Sequence, residues 1–482
     1  MIILKIVITN KIVIYEATED IINYCKTKLT FKNPEYEKKK RMGFWCQNIP
    51  RVIRLYDYYQ AVYYLPIGCF NDIFDIHPYP TDYSDLSIAI ATKIVSNIKL
   101  REYQKPCPEL LKKAYTGLFI LPAGCGKTIT ALECIAEVGQ KTLWLTHTQD
   151  LLNQAKRECE SNMICKTSTI TAGECDFSGD IVFATIQTLS NIIDKGEISQ
   201  TLFGMIIADE CQHVIISTET IMMFQKCVNY FASRYKIGLT ATLHTSSGLH
   251  KVIPKLIGDV LYEMKKVDDK FIGYSYLKGT KKVECSVEAN LFQIPAQIYF
   301  VKSNYSVKGR ETLFEKKNQT VIFSTLISDI ANDVDRNNII LNVLKKLEGS
   351  TIVVSDRTSQ LKYLSEFFGE DAFYVDGKTS KKVREEGLDK VRNGEIKYLF
   401  ASYSLICEGF NAPILENLVM ATPVKDLRIV IQSIGRVQRP YKDKKIANVY
   451  DIVDDVGKLD RFIDSRKRIY KREKYKMVDY GG

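Results

Sequence analysis

The sequence predicts an α/β chain in which two tandem domains, each with a mostly parallel sheet, follow a small α+β block. Three observations carry that expectation. From about residue 86 to 265, apolar strand-like runs alternate with amphipathic helical stretches, which is the rhythm of βαβ units. The same rhythm restarts after 266 and continues to 482. Residues 1–85 lack it and are crowded with β-branched and aromatic side chains, as in RVIRLYDYYQAVYYL.

In the N-terminal block, Ile and Val alternate through residues 1–15, Asn10-Lys11 separates two apolar runs as a tight turn would, and 19–29 has helical spacing. In the first tandem domain, strands are expected at 117–121, 141–146, 181–184, 205–208 and 235–239, with helices such as 128–138 and 148–160 between them. In the second, helices are expected at 337–347, 358–368, 381–393 and 424–436. They alternate with strands at 350–355, 372–375, 396–401, 418–421 and 449–452. The stretch 266–335 has no clear period, and a hinge is expected near its start. The expected domains are therefore 1–85, 86–265 and 266–482. Ligands of such sheets bind beyond the carboxyl ends of the strands.

The chain has 482 residues, 45% hydrophobic and 26% charged, which suits several folded domains with ample core. No stretch approaches the roughly 18 apolar residues of a membrane span. The apolar N-terminal run is broken by Lys5, Asn10 and Lys11, so it reads as a strand pair and not a signal peptide. A cytoplasmic protein is expected, in the host's cytoplasm if the wealth of Ile, Lys, Asn and Tyr reflects a phage or viral source. The 13 cysteines form no Cys-x-x-Cys pair and read as reduced, mostly buried thiols; the 5 histidines have no metal-ligand spacing.

A net charge of +10 favours a polyanionic partner. Two clusters concentrate it. Residues 461–476 hold 8 Lys or Arg against 2 acids, with Tyr470 and Tyr475 interleaved. Lys38–Arg41 are followed by Phe44 and Trp45. Each is either a phosphate contact or a solvated face.

Three motifs point to one ATP site. The first expected strand of the tandem domains runs into Pro122-Ala123-Gly124-Cys125-Gly126-Lys127-Thr128 and then a helix. Glycines let the loop wrap the phosphates with backbone N–H groups, Lys127 reaches the β- and γ-phosphates, and the Thr128 hydroxyl binds Mg²⁺. Leu121 stands where the full pattern has its first glycine. The expected strand 205–208 ends in Asp209-Glu210-Cys211-Gln212-His213. There Asp209 holds Mg²⁺ and Glu210 polarises the attacking water, and His213 is a coupler between domains or an ordinary surface residue. The third motif is Gln432-Ser-Ile-Gly-Arg436-Val-Gln-Arg439, in which helical spacing puts Gln432, Arg436 and Arg439 on one face, suited to a γ-phosphate.

In this order and spacing the motifs resemble superfamily 2 helicases and translocases, and within them the branch containing XPB-type DNA helicases and the phage helicase UvsW. Leu100-Arg101-Glu102-Tyr103-Gln104 resembles that branch's adenine-recognition motif, and residues 146–154 (THTQDLLNQ) resemble motif Ia. Residues 184–189 (ATIQTL) resemble the strand-contact motif before the Asp-Glu box. Gly238-Leu-Thr-Ala-Thr242 resembles motif III, with Leu243 where Pro is usual. Asp335-Arg336-Asn337 resembles the start of the second motor domain, and Glu408-Gly409-Phe410-Asn411 resembles motif V, with Asn411 where Asp is common.

The resemblance implies two RecA-like domains with ATP bound between them. Arg101, Gln104, Gly409 and Asn411 would help to hold the nucleotide, and Arg436 and Arg439 would stabilise its γ-phosphate. Thr148, Thr185, Arg357 and Ser402 would contact the nucleic-acid backbone. Residues 29–34 and 65–68 resemble parts of the N-terminal domains of bacterial and phage members, so block 1–85 is either a duplex-DNA contact or a packing module. The substrate expected is single-stranded, duplex or branched DNA, with protein partners in replication, recombination or repair, and unwinding or branch migration as the task. Asp-Glu-Cys-Gln-His and Thr-Ala-Thr lean away from the RNA helicases, which carry Asp-Glu-Ala-Asp and Ser-Ala-Thr. The alternatives are an RNA helicase, the motor of a restriction or nuclease complex, and a non-catalytic scaffold. No nuclease constellation stands in the chain, and intact Lys127, Asp209, Glu210 and Arg439 argue against the scaffold.

Overall fold

The computed structural model describes residues 4–77, 81–122, 124–171, 173–212, 217–243, 249–277, 279–306, 323–407, 412–424, 426–454 and 456–481. The chain divides into two compact units, Met1–Val287 and Glu288–Gly482.

The first unit is organised on a ten-stranded sheet. Its centre is parallel, in the order Thr167–Thr171, Ile181–Thr185, Thr142–Thr146, Met205–Ala208, Tyr235–Thr240, Thr116–Ile120 and Val260–Val267. Strands covered on both faces read as unbroken apolar runs, and every residue of Thr142–Thr146, Ile181–Thr185 and Met205–Ala208 is buried. That is why these strands were legible in the sequence.

Strands Lys270–Leu277 and Thr280–Glu288 extend the edge of this same sheet beyond Val260–Val267. The sequence predicts a second domain from 266, whereas the second compact unit begins at Glu288. These strands have Lys-rich exposed positions; Asp268 (φ 53°) turns the chain into the first of them and Gly279 (φ 75°) turns it into the second. Their alternation is that of a half-exposed antiparallel edge, not of the buried parallel strands used to set the rhythm.

Block 1–85 forms a five-stranded mixed sheet in the order Asp57–Tyr59, Val62–Leu65, Ile12–Tyr15, Leu4–Ile8, Thr81–Asp85. The first two strands pair antiparallel through the turn that contains Asn10 and Lys11, and helix Glu19–Lys28 follows. The block is not a free module. Its apolar residues Leu4, Ile6, Leu65 and Cys69 belong to one core with Leu118, Val182, Phe224 and Ile253 of the larger sheet's layer. Gly68 lies so close to the carbonyls of Pro254 and Lys255 that a side chain there has no room. Lys255 also pairs with Asp72, and Asn71 donates to Asp259 at 3.0 Å.

The second unit has a seven-stranded parallel sheet in the order Ala372–Val375, Tyr398–Ser402, Thr351–Ser355, Asn417–Met420, Ala447–Val453, Ala296–Lys302 and Lys476–Asp479. Buried ion pairs brace it. Arg336, fully buried, makes a bidentate pair with Asp454 at 2.6 and 3.0 Å and donates to the carbonyl of Ala421. Arg466 pairs with Asp451 at 2.8 and 2.9 Å, and the Tyr470 hydroxyl donates to the same carboxylate. The basic tail is therefore only partly a surface. Arg466 and Tyr470 are buried, Tyr475 is half-buried with its hydroxyl on Gln438, and Lys476 starts the last strand of the sheet. No described helix is long and apolar enough to cross a membrane. Twelve of the 13 cysteines, from Cys25 to Cys285 in chain order, are free thiols.

Candidate functional site

The loop between strand Thr116–Ile120 and helix Lys127–Val138 is built as an anion cradle. Leu121 continues the strand pairing, its N–H donating to the Thr240 carbonyl at 2.9 Å. Leu121 is fully buried and does not have a positive φ, so this position requires no glycine. Gly124 (φ 86°) and Gly126 (φ 70°) do occupy the left-handed region that glycine favours. Gly126 is the N-cap of the helix, and the unpaired N–H groups of the first helical turn open on the loop, where an anion is stabilised. Pro122, Lys127 and Thr128 are half-buried and Cys125 is buried. Burial pushes the Cys125 thiol up to about 12, so it serves as a packing residue and not as a nucleophile. Ala123 lies outside the described residues.

Gln104 fastens this loop from behind. Its side chain donates to the carbonyls of Cys125 (3.1 Å) and Gly126 (3.2 Å) and accepts from the N–H of Arg101 (2.9 Å). It is 3% exposed. Arg101 is exposed, and its guanidinium donates to the Tyr103 hydroxyl at 3.2 Å. Sequence reasoning placed this pair near the nucleotide; the tie to the loop backbone, across more than twenty residues of chain, left no sequence signal.

Strand Tyr235–Thr240 lies between the loop strand and Met205–Ala208 in a parallel arrangement, so the Gly238–Thr242 motif ends beside both. The Thr240 hydroxyl donates to the Thr242 carbonyl at 2.7 Å. Gly238 has Leu118, Ile257 and the Cys211 sulfur crowding the place of a Cβ. A larger side chain there would push on Leu118 of the neighbouring strand, on Ile257 and on Cys211.

Lys127 Nζ is 3.1 Å from Glu210 Oε1, so the loop lysine and the second acid of the Asp-Glu pair meet. Glu210 has φ 47°, a strained conformation for a residue with a side chain. Gln212, to which the sequence reading gave no role, donates to the other carboxylate oxygen of Glu210. Asp209 is 7% exposed. Burial first, and the neighbouring Glu210 charge second, push its carboxyl up to about 7, with Lys127 opposing. A buried carboxylate this short of positive charge fits a hard divalent cation, and with the Thr128 hydroxyl it supplies two oxygen ligands of the kind Mg²⁺ takes beside water and phosphate. His213 lies outside the described residues.

In the second unit, helix Leu427–Val437 carries Gln432 and Arg436. Arg439 lies beyond its end, so it does not share the helical face that simple spacing suggested. Two residues fix this turn: Gln438, buried, donates to the Ile294 carbonyl at 3.0 Å, and Lys444 donates to the carbonyls of Arg439, Pro413 and Leu415. Burial lowers the Lys444 ammonium to about 8. The motif V residues Glu408, Gly409, Phe410 and Asn411 lie outside the described residues.

The proposed nucleic-acid contacts sit alike in both units. Thr148 and Thr185 are the N-caps of helices Gln149–Asn162 and Ile186–Lys195. They stand at the carboxyl ends of the adjacent parallel strands Thr142–Thr146 and Ile181–Thr185. In the second unit, Arg357 and Ser402 stand at the ends of the adjacent parallel strands Thr351–Ser355 and Tyr398–Ser402. Arg357 donates to the Ser328 hydroxyl at 3.0 Å and the Ser324 carbonyl at 3.1 Å, which orients its fork. Helix N-termini and an oriented guanidinium are standard phosphate donors.

Residues 91–245 match the family model described as Type III restriction enzyme, res subunit, and residues 335–441 match Helicase conserved C-terminal domain; together these cover more than half of the chain. The chain is 26% identical over 391 residues to the DNA 3'-5' translocase XPB2 of Sulfurisphaera tokodaii, covering 78% of this chain and 86% of the relative. It is 32% identical over 96 residues to the ATP-dependent DNA helicase uvsW of Enterobacteria phage T4, covering 20% of this chain and 19% of that one. The fold is also that of S. cerevisiae Dbp5 bound to RNA and ADP BeF3, with a TM-score of 0.55 at 12% identity over 79% of this chain and 90% of that one.

Proposed function

This chain is a superfamily 2 helicase and an ATP hydrolase, and from that premise we propose that it is a DNA translocase that spends each hydrolysis cycle on a step along one strand. In this reading Lys127 leaves Glu210 for the β- and γ-phosphates when ATP enters. Thr128 and Asp209 would hold Mg²⁺, which would supply charge neutralisation at the phosphates. Glu210, freed from Lys127 and oriented by Gln212, accepts the proton of the attacking water. Gln104 holds the loop in shape, Arg101 is the proposed contact of the base, and Gln432, Arg436 and Arg439 are the residues that the family resemblance gives to the γ-phosphate.

The observation that carries the reading is the Lys127–Glu210 contact at 3.1 Å. It supports the reading because a lysine and a carboxylate that meet at the strand ends, where such sheets bind ligands, can serve one reacting group. Thr148, Thr185, Arg357 and Ser402 hold the backbone of the strand, a contact with little sequence preference. DNA is favoured over RNA by the resemblance to the translocase XPB2, and forked or four-way junctions are the proposed substrates. The RNA reading has the fold of Dbp5 behind it, and at 12% identity that likeness speaks for the fold alone.

The test is ATP hydrolysis measured with single-stranded, duplex, forked and four-way DNA and with RNA of matched length. Stimulation greatest with forked or four-way DNA supports the proposal. Stimulation by RNA above every DNA overturns it.

A further inference from the structure

We propose that the tip formed by residues 42–47 is a stacking platform for unpaired DNA bases. The inference deepens the DNA-motor reading and rests on it.

The tip starts where helix Pro34–Arg41 ends. Gly43 takes φ 75° and donates to the Lys40 carbonyl at 3.1 Å, and the Phe44 N–H donates to the Lys39 carbonyl at 3.0 Å. This is a Schellman cap. Such caps usually pack the residue after the glycine on an apolar partner three positions before the helix end. Here that partner position is Lys39, and Phe44 is left 59% exposed. Trp45 follows at 82% exposed, with its indole N–H donating to Gln47 at 3.1 Å. The aromatics are thus presented to water by an ordered turn.

Aromatic faces in water mark a contact surface, and the charge around them selects the partner. Residues 38–56 contain six Lys or Arg and no acid. Among described residues, Lys39 is neutralised by Glu35 at 3.0 Å, and Lys40 and Arg51 lie over the Tyr36 ring, while Lys38, Lys40 and Arg41 remain exposed. Protein interfaces are depleted in lysine; aromatic rings interleaved with cations are the signature of single-strand binding, where bases stack and phosphates pair. A stacked duplex offers phosphate but no free base face, so the tryptophan has a use only where bases are unpaired. The C-terminal basic cluster makes the contrast, because its Tyr470 is in the core.

The tip is anchored at its base. Asn33, fully buried, caps its helix by accepting from the Glu35 N–H at 3.0 Å and ties off the excursion through Pro50 and Arg51. The same Asn33 oxygen accepts from the Thr218 hydroxyl at 3.0 Å, at the first turn of helix Thr218–Tyr230.

The chain supplies its own probe. It has two tryptophans, and Trp144 is fully buried in the sheet, so solvent-quenchable emission reports Trp45. The experiment titrates the full chain with oligo(dT), a fork and a blunt duplex, following tryptophan emission together with the anisotropy of labelled DNA and the stimulation of ATP hydrolysis. Quenching by oligo(dT) and the fork, and little by the blunt duplex, is expected. Trp45→Ala should weaken fork binding about tenfold, the loss of one base–aromatic stack, whereas Trp45→Phe keeps most of the affinity. Unchanged emission on a fork shown by anisotropy to be bound, or unchanged affinity of Trp45→Ala, overturns the platform. Absence of DNA stimulation with every substrate overturns the motor reading instead.

Discussion

Replacing Gln104 with alanine separates two roles that the sequence alone runs together. If Gln104 acts on the adenine, the variant loses preference for ATP over GTP. If its work is to hold the phosphate loop, as its bonds to Cys125 and Gly126 indicate, affinity for both nucleotides falls together. The Gly126 carbonyl keeps two donors from Thr130, its N–H and its hydroxyl, each at 2.9 Å. The lost bonds are then those at Cys125 and Arg101, each a neutral bond of about 1 kcal/mol. A loss of about 1–2 kcal/mol corresponds to a weakening of about 5- to 30-fold. The assay is steady-state hydrolysis of ATP and GTP, with KM and kcat resolved. KM for both should rise by that factor while the ATP-to-GTP ratio holds. An unchanged KM, or a change confined to ATP, refutes the loop-holding account.

Three further outcomes follow from the same geometry. Asp209 has its carboxyl raised to about 7 against an ordinary value near 3.9. Its share of stability is therefore present below about pH 4 and lost as pH rises through 7. Asp209→Asn should abolish hydrolysis yet raise the Mg²⁺-free Tm at pH 8 and leave it nearly unchanged at pH 4; thermal melts at the two pH values check the sign. Lys236, 1% exposed, donates to the Val228 carbonyl at 3.0 Å, and burial lowers its ammonium to about 7. Wild-type stability should gain as pH rises from 7 towards 10 through this group, so Lys236→Met should raise Tm most at pH 6, as calorimetry would show. Arg357→Ala should weaken single-strand binding and flatten its salt dependence by about 0.7 in log–log slope, the loss of one phosphate contact; anisotropy titrations at several salt concentrations measure it.

The parts of the fold that were legible are those where chemistry is local. The buried parallel strands announce themselves as apolar runs, and the loop at 122–128 needs its glycines at Gly124 and Gly126 for backbone reasons that act within a few residues. What was hidden depends on distant partners. Arg466 and Tyr470 look like surface in a basic tail because Asp451, which neutralises one and bonds the other, lies on a different element. Gln104 gives no sign of its grip on the loop, and Gln212 none of its bond to Glu210. Block 1–85 reads as a separable module, yet its core is continuous with that of the first sheet. Excising it would strip apolar surface from the motor, so point changes at the tip are the cleaner probe. The strands at 270–288 were missed because an exposed edge breaks the apolar pattern on which the reading relied.

In the proposed function, hydrolysis at Lys127, Asp209 and Glu210 becomes movement along DNA. Displacement of streptavidin from biotin at either end of a single strand or a duplex, followed in time with ATP and Mg²⁺, tests it most directly. The account predicts ATP-dependent release from one end in preference to the other, with no release by Lys127→Ala although that variant still binds the DNA. DNA-stimulated hydrolysis without release from either end would contradict it.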